Sequence, residues 1–182
     1  MITLGDSARQ FILHWGEMGT RWGVNRTVAQ VHALLYLSPE ALTAEDIADA
    51  LSVARSNVST SLKELQNWNL AQVESRMGDR RDFFRTSADV WTLFLTVVEQ
   101  RVEREILPTM NMLRSCITQA QAERPAQPVV IARIKAMQVF LEELHGWYTQ
   151  MKKLPPAALH SLISIGSGIT HVLPKSRRRR LD

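Results

Sequence analysis

Between Ala54 and Trp68 the chain carries Arg55, Ser56, Asn57, Ser59, Thr60 and Lys63 interleaved with Val58, Leu62 and Leu65. The apolar trio recurs at i, i+4 and i+7, the spacing that a helix gathers on one side. Ser56, Thr60 and Lys63 then point outward, with Arg55, Asn57 and Ser59 on the flanks near the helix start, and Ser59-Thr60-Ser61 reads as outer face. A guanidinium can fork onto guanine, a carboxamide onto adenine, and hydroxyls can serve base edges or phosphates. Each good bidentate pair is worth ~1–3 kcal/mol of base discrimination. The alternative is a solvated face whose serines bond their own backbone.

A second set, Arg76, Arg80, Arg81 and Arg85, surrounds Gly78-Asp79. A basic hairpin of this kind suits a wing that lies along phosphates and places an arginine in the minor groove. Asp79 and Asp82 temper its charge. The expected arrangement has Asp79 paired with one arginine, holding the tip, while another reaches DNA; the alternative is exposed charge on an ordinary hairpin.

These groups need a scaffold. Thr43 followed by Asp46 resembles a capping box with Asp in place of Glu or Gln, and it opens a short helix through Ile47, Ala48 and Leu51. Ser52-Val53 is the turn, and small Ala48 suits the crossing with the second helix. Leu70 to Ser75 alternates as a strand, Gly78-Asp79 is a turn, and Phe83 to Thr86 returns as its partner. Short helix, turn, helix and basic hairpin form a winged helix-turn-helix, a known way of entering DNA. Upstream, Leu4 to Arg21 predicts a helix with Phe11, Trp15, Met18 and Trp22 on one side. Asn25 caps another reaching Leu37, with Val28, Val31, Leu34 and Leu35 inward. Beyond Ala88 the pattern is helical to about Gln119, with Pro108 expected to kink or interrupt it. AERPAQP is a linker, Val129 to Lys153 an amphipathic helix, and Pro155-Pro156 starts the last one.

Other chemistries find little footing. The single Cys116 excludes an intrachain disulfide framework or a cysteine-rich zinc module. Its alternatives are a buried apolar thiol or a redox sensor. His14, His32, His145, His160 and His171 lack metal-ligand spacing, Gly166-Ser167-Gly168 is too compressed for a nucleophile elbow, and no P-loop or GxGxxG is present. The reading is a non-enzyme without metal or cofactor. Net charge is +4, but PKSRRRRLD supplies five basic groups and one acidic, leaving 17 of each sign elsewhere. The basic pI is therefore a property of the tail and does not by itself argue for a DNA-binding face. The N-terminus lacks a secretory pattern, and Pro155 to Leu173, though apolar, holds enough polar groups to disfavour a membrane span. A cytoplasmic protein without membrane contact is expected.

Trp22-Gly23-Val24-Asn25-Arg26-Thr27-Val28-Ala29-Gln30, Leu42 to Ala48, Ala54 to Leu65 and Gly78-Asp79-Arg80-Arg81 together resemble the GbsR-type branch of the MarR family of winged helix-turn-helix regulators. The resemblance covers most of residues 10 to 110 and is echoed by Trp147-Tyr148 and Gln150-Met151. It implies a homodimer paired largely through helices outside the winged domain, acting on a pseudo-palindromic operator, often as a repressor. Two recognition helices must sit about one DNA turn apart, ~34 Å. Because some relatives in this branch are linked to choline and glycine-betaine control, Trp15, Trp22, Trp91, Trp147 and Tyr148 are candidates for an effector cage; core packing is the other reading of these rings.

The expected architecture is mainly α. It comprises an N-terminal helix (1–24), a winged helix-turn-helix with a small β-hairpin (25–88), long helices for dimerisation and an effector (89–173), and a basic tail (174–182). A protein-interaction module and an effector-binding helical protein with little DNA affinity are the alternative functions.

Overall fold

The computed structural model describes residues 4–124, 127–155, 158–159 and 161–162. Most of the helix expected after Pro155, the tail 174–182, Gly166-Ser167-Gly168, His160 and His171 lie outside the described residues. The chain divides into two compact units, Met1–Gln100 and Arg101–Asp182.

The first unit contains α1 (Asp6–Arg21), α2 (Arg26–Leu37), β1 (Leu42–Thr43), α3 (Ala44–Leu51), α4 (Arg55–Asn67), β2 (Gln72–Ser75), β3 (Asp82–Arg85) and α5 (Val90–Arg101). Its core joins Val28, Val31, Leu34 and Leu35 of α2 to Ile47 of α3, Val58, Leu62 and Leu65 of α4, and Phe84 of β3. The inward stripes expected of α2 and α4 are buried. Asn25 caps α2 by accepting from the Thr27 amide at 2.8 Å.

Helix α1 packs on α2 through small residues. Ile12, Gly16 and Gly19 are buried, whereas Trp22 is 53% exposed at the helix end. A Cβ on Gly19 would stand 2.5 Å from that of Ala29, so this crossing requires glycine. Spacing of large apolar residues marked the flank of the buried stripe, because the closest approach is made where side chains are smallest.

Three strands form one antiparallel sheet in the order β1-β3-β2. Leu42 and Thr43 pair with Phe84 and Phe83, a third strand too short to show a period-two pattern. The hairpin is shorter than expected at its start: Leu70 and Ala71 are buried residues ahead of β2, and β3 starts at Asp82.

The second unit has a π-helical turn (Val102–Ile106), α6 (Leu107–Ala122) and α7 (Pro128–Met151). Pro108 lies in the first turn of α6, directly after the π turn. Proline lacks an N–H and crowds the carbonyl four residues back, here that of Arg104, and the wider π turn accommodates both defects. Met110 and Leu113 of α6 pack with Leu141 of α7, and Arg114 pairs with Glu142 at 3.0 Å. On α7, Ile134, Leu141 and Tyr148 face inward; Met137, Phe140, Leu144 and Trp147, spaced three, four and three, are 43–62% exposed.

Candidate nucleic-acid interface

The helix-turn-helix is fixed by local hydrogen bonds. The Thr43 hydroxyl accepts from the Asp46 amide at 3.1 Å, and Asp46 Oδ2 accepts from the Thr43 amide at 3.0 Å and its hydroxyl at 2.6 Å. The hydroxyl bond holds the Asp46 carboxyl below the usual range. Aspartate therefore closes this capping box in place of the preferred Glu or Gln. At the turn, Ser52 adopts φ +53° and the Val53 amide returns to the Ala48 carbonyl at 3.1 Å.

Arg55, Ser56, Asn57, Ser59, Thr60 and Lys63 are all exposed on α4. Ser61 is a correction to the polar-face reading: it is 3% exposed, three residues after Val58 and four before Leu65, on the packed stripe. Thr60 donates its hydroxyl to the Ser56 carbonyl at 3.1 Å, leaving its lone pairs and methyl facing out. Ala54, which caps α4, contributes no side-chain bond. The first amides of α4 therefore have no side-chain cap at Ala54.

The wing arginines are unequal. Asp79 binds Arg81 through both carboxylate oxygens, at 3.0 Å to Nε and 2.7 Å to Nη2, and also accepts the Arg81 amide. These bonds bring the Asp79 carboxyl down to about 2 and raise Arg81. Arg76 lies 4.0 Å above the buried Phe83 ring, and Arg85 pairs with Glu74 across the hairpin at 2.7 Å. Gly78, at φ +82°, supplies the left-handed residue of the tip, where Met77 is wholly exposed. Arg80 is exposed and has no bonding partner among the described residues. Arg55, Ser59, Lys63, Arg80 and Arg81 line one cleft of about 470 Å³ between α4 and the wing, with Glu45 and Asp82 also on its walls. Ser56, Asn57 and Thr60 are exposed outside that cleft.

Trp15 and Trp22 line a cavity of the first unit, whereas Trp91 packs edge-on against Phe94 outside its lining. Trp147 and Tyr148 belong to the second unit, on the exposed and buried faces of α7.

His32 also lines this cavity, and burial brings its imidazole down to about 4. The folded state therefore disfavours the charged ring, and stability should fall as pH drops from about 6.5 to about 4, by on the order of 3 kcal/mol. Chemical denaturation across that range should show this slope in the wild type and a flatter one in His32→Gln. Equal slopes would remove His32 as the cause. Among the described residues, no three His, Cys, Asp or Glu side chains group as metal ligands, and no helix is long and apolar enough to cross a membrane.

Residues 22–82 match the model of the MarR family. The chain is 24% identical over 142 residues to the HTH-type transcriptional repressor GbsR of Bacillus subtilis (strain 168), covering 73% of this chain and 75% of that protein. A crystal structure of a transcriptional regulator shares the fold at TM-score 0.66 and 19% identity, covering 79% of this chain and 94% of that one.

Proposed function

We propose that this chain is a DNA-binding regulator of the MarR type, whose family model residues 22–82 match, and that it acts as a homodimer on a pseudo-palindromic operator and represses transcription from it. The observation carrying this reading is the joint placement of an exposed Arg-Ser-Asn helix start and an unpaired wing arginine around one face of the first unit. In this reading α4 enters the major groove with Asn57 and Thr60 at base edges, Ser56, Ser59 and Lys63 beside them, and Arg55 at a base or phosphate. Thr60 meets the groove as an acceptor or methyl contact, since its proton is committed to Ser56. Arg80 enters the minor groove, while Arg76 and Arg81 shape the wing.

Dimer formation is supported by the exposed stripe on α7. Met137, Phe140, Leu144 and Trp147 have the three-four spacing of a helix seam, and none is charged. Repression follows the resemblance to GbsR, and a cytoplasmic location follows from DNA as partner.

Salt dependence tests the wing. Arg80→Ala should lower the slope of log K against log salt by ~0.9 if one phosphate-equivalent contact is lost, weakening all sequences alike. Arg81→Ala should act less directly, by loosening the tip that Asp79 holds. An unchanged affinity and slope in the Arg80 variant would reject the wing assignment.

A further inference from the structure

Two turns join β2 to β3. In the first, the Asp79 amide donates to the Arg76 carbonyl at 3.1 Å, and Gly78, third of the four residues, takes the positive φ of +82° that a type II turn requires. Met77 holds the second position, the outer corner. In the second turn the Asp79 carboxylate accepts the Arg81 amide at 3.0 Å. Met77 is fully exposed, so this long apolar side chain neither packs on the hairpin nor adds to the core.

The corner stands on a firm base. Arg76 lies 4.0 Å above the Phe83 ring and Arg81 lies 5.5 Å from the same ring, which is buried in the strand paired with Thr43. The residues flanking Met77 and Gly78 are therefore tied back to the sheet. Arg80, three residues on, lines the cleft shared with Arg55 and Lys63 of α4, so the tip borders the face that the operator reading gives to DNA. A polar or charged residue would suit solvent at that corner. A thioether chain among arginines instead matches the minor groove, where apolar deoxyribose walls lie between two rows of phosphates and where methionine is among the apolar side chains that proteins insert.

We propose that Met77 enters the minor groove beside Arg80 and packs on its deoxyribose walls, giving the wing a share of affinity that does not depend on salt. The inference rests on the operator reading and adds to it an uncharged contact. Apolar burial displaces water and releases no counterion, so its loss weakens binding without changing the salt slope.

The test is fluorescence anisotropy of the full chain on a duplex that the wild type retains from genomic fragments, measured at several salt concentrations. Met77→Gln keeps the length of the side chain and removes its apolar character; Met77→Leu keeps both bulk and character. The glutamine variant should bind about tenfold more weakly at every salt concentration, with a line parallel to that of the wild type, and the leucine variant should bind within about twofold of the wild type. The Met77 ε-methyl resonance should move when the duplex is added. Because the side chain is fully exposed, neither substitution should disturb the fold. Wild-type affinity in the glutamine variant, a fall in its salt slope, an equal loss in the leucine variant, or an unmoved methyl resonance would each overturn the proposal while leaving the operator reading intact. Failure of the wild type to retain any duplex would overturn that reading and this contact with it.

Discussion

Replacing Leu144 and Trp147 together with glutamate is expected to convert the protein to a monomer and to weaken operator binding by about two to four orders of magnitude, the gain that linking two half-site contacts supplies. Both side chains lie on the outer stripe of α7, exposed by 43% and 62%, while the inner stripe of Leu141 and Tyr148 packs within the second unit. The substitutions should therefore leave the fold of either unit intact, and affinity for an isolated half-site should be unchanged. Sedimentation and binding to full and half operators would measure both effects. A variant that stays dimeric would move the interface away from α7.

The second large effect is expected at Asn57. Its carboxamide is exposed in the first turn of α4, on a helix held from behind by Val58, Leu62 and Leu65. Asn57→Ala should abolish preference at one base-pair position in each half-site, a loss of ~1–3 kcal/mol or roughly 5- to 150-fold per half-site. Selection of bound sequences by the variant should show that position alone becoming degenerate. Uniform weakening across all sequences would assign Asn57 to the backbone instead.

Much of the fold was legible because the recognition segment repeats one message at several levels. Val58, Leu62 and Leu65 mark the buried stripe of α4, Thr43 and Asp46 mark the start of α3, and Gly78-Asp79 marks the hairpin tip; the structure has all three. Ser61 was misread because a serine within a polar run carries no sign of burial, and only the helical phase relative to Val58 and Leu65 reveals it. Strand β1 was missed because two residues cannot show alternation, and its pairing with Phe83 and Phe84 is a long-range contact.

The candidate sites divide along the same line. That α4 would present Arg55, Ser56, Asn57, Ser59, Thr60 and Lys63 to solvent followed from periodicity. Which arginine Asp79 would hold did not, although an Asp accepting the amide two residues on is a known turn habit, and here that amide belongs to Arg81. The aromatic set was chosen by type, and type cannot tell that Trp91 turns to Phe94 or that Trp147 and Tyr148 occupy opposite faces of one helix. His32 was weighed only as a metal ligand. Its position inside Val31-His32-Ala33-Leu34-Leu35, an apolar run on α2, was the available sign of a buried neutral ring.

The central claim is sequence-specific DNA binding by this winged domain. Its most direct test is to mix the purified protein with random genomic fragments at two salt concentrations and to sequence what is bound. A recurring inverted repeat, with half-sites about one helical turn apart and retained at the higher salt, is the predicted result. Absence of binding, or binding that disappears with salt and shows no motif, would contradict the account.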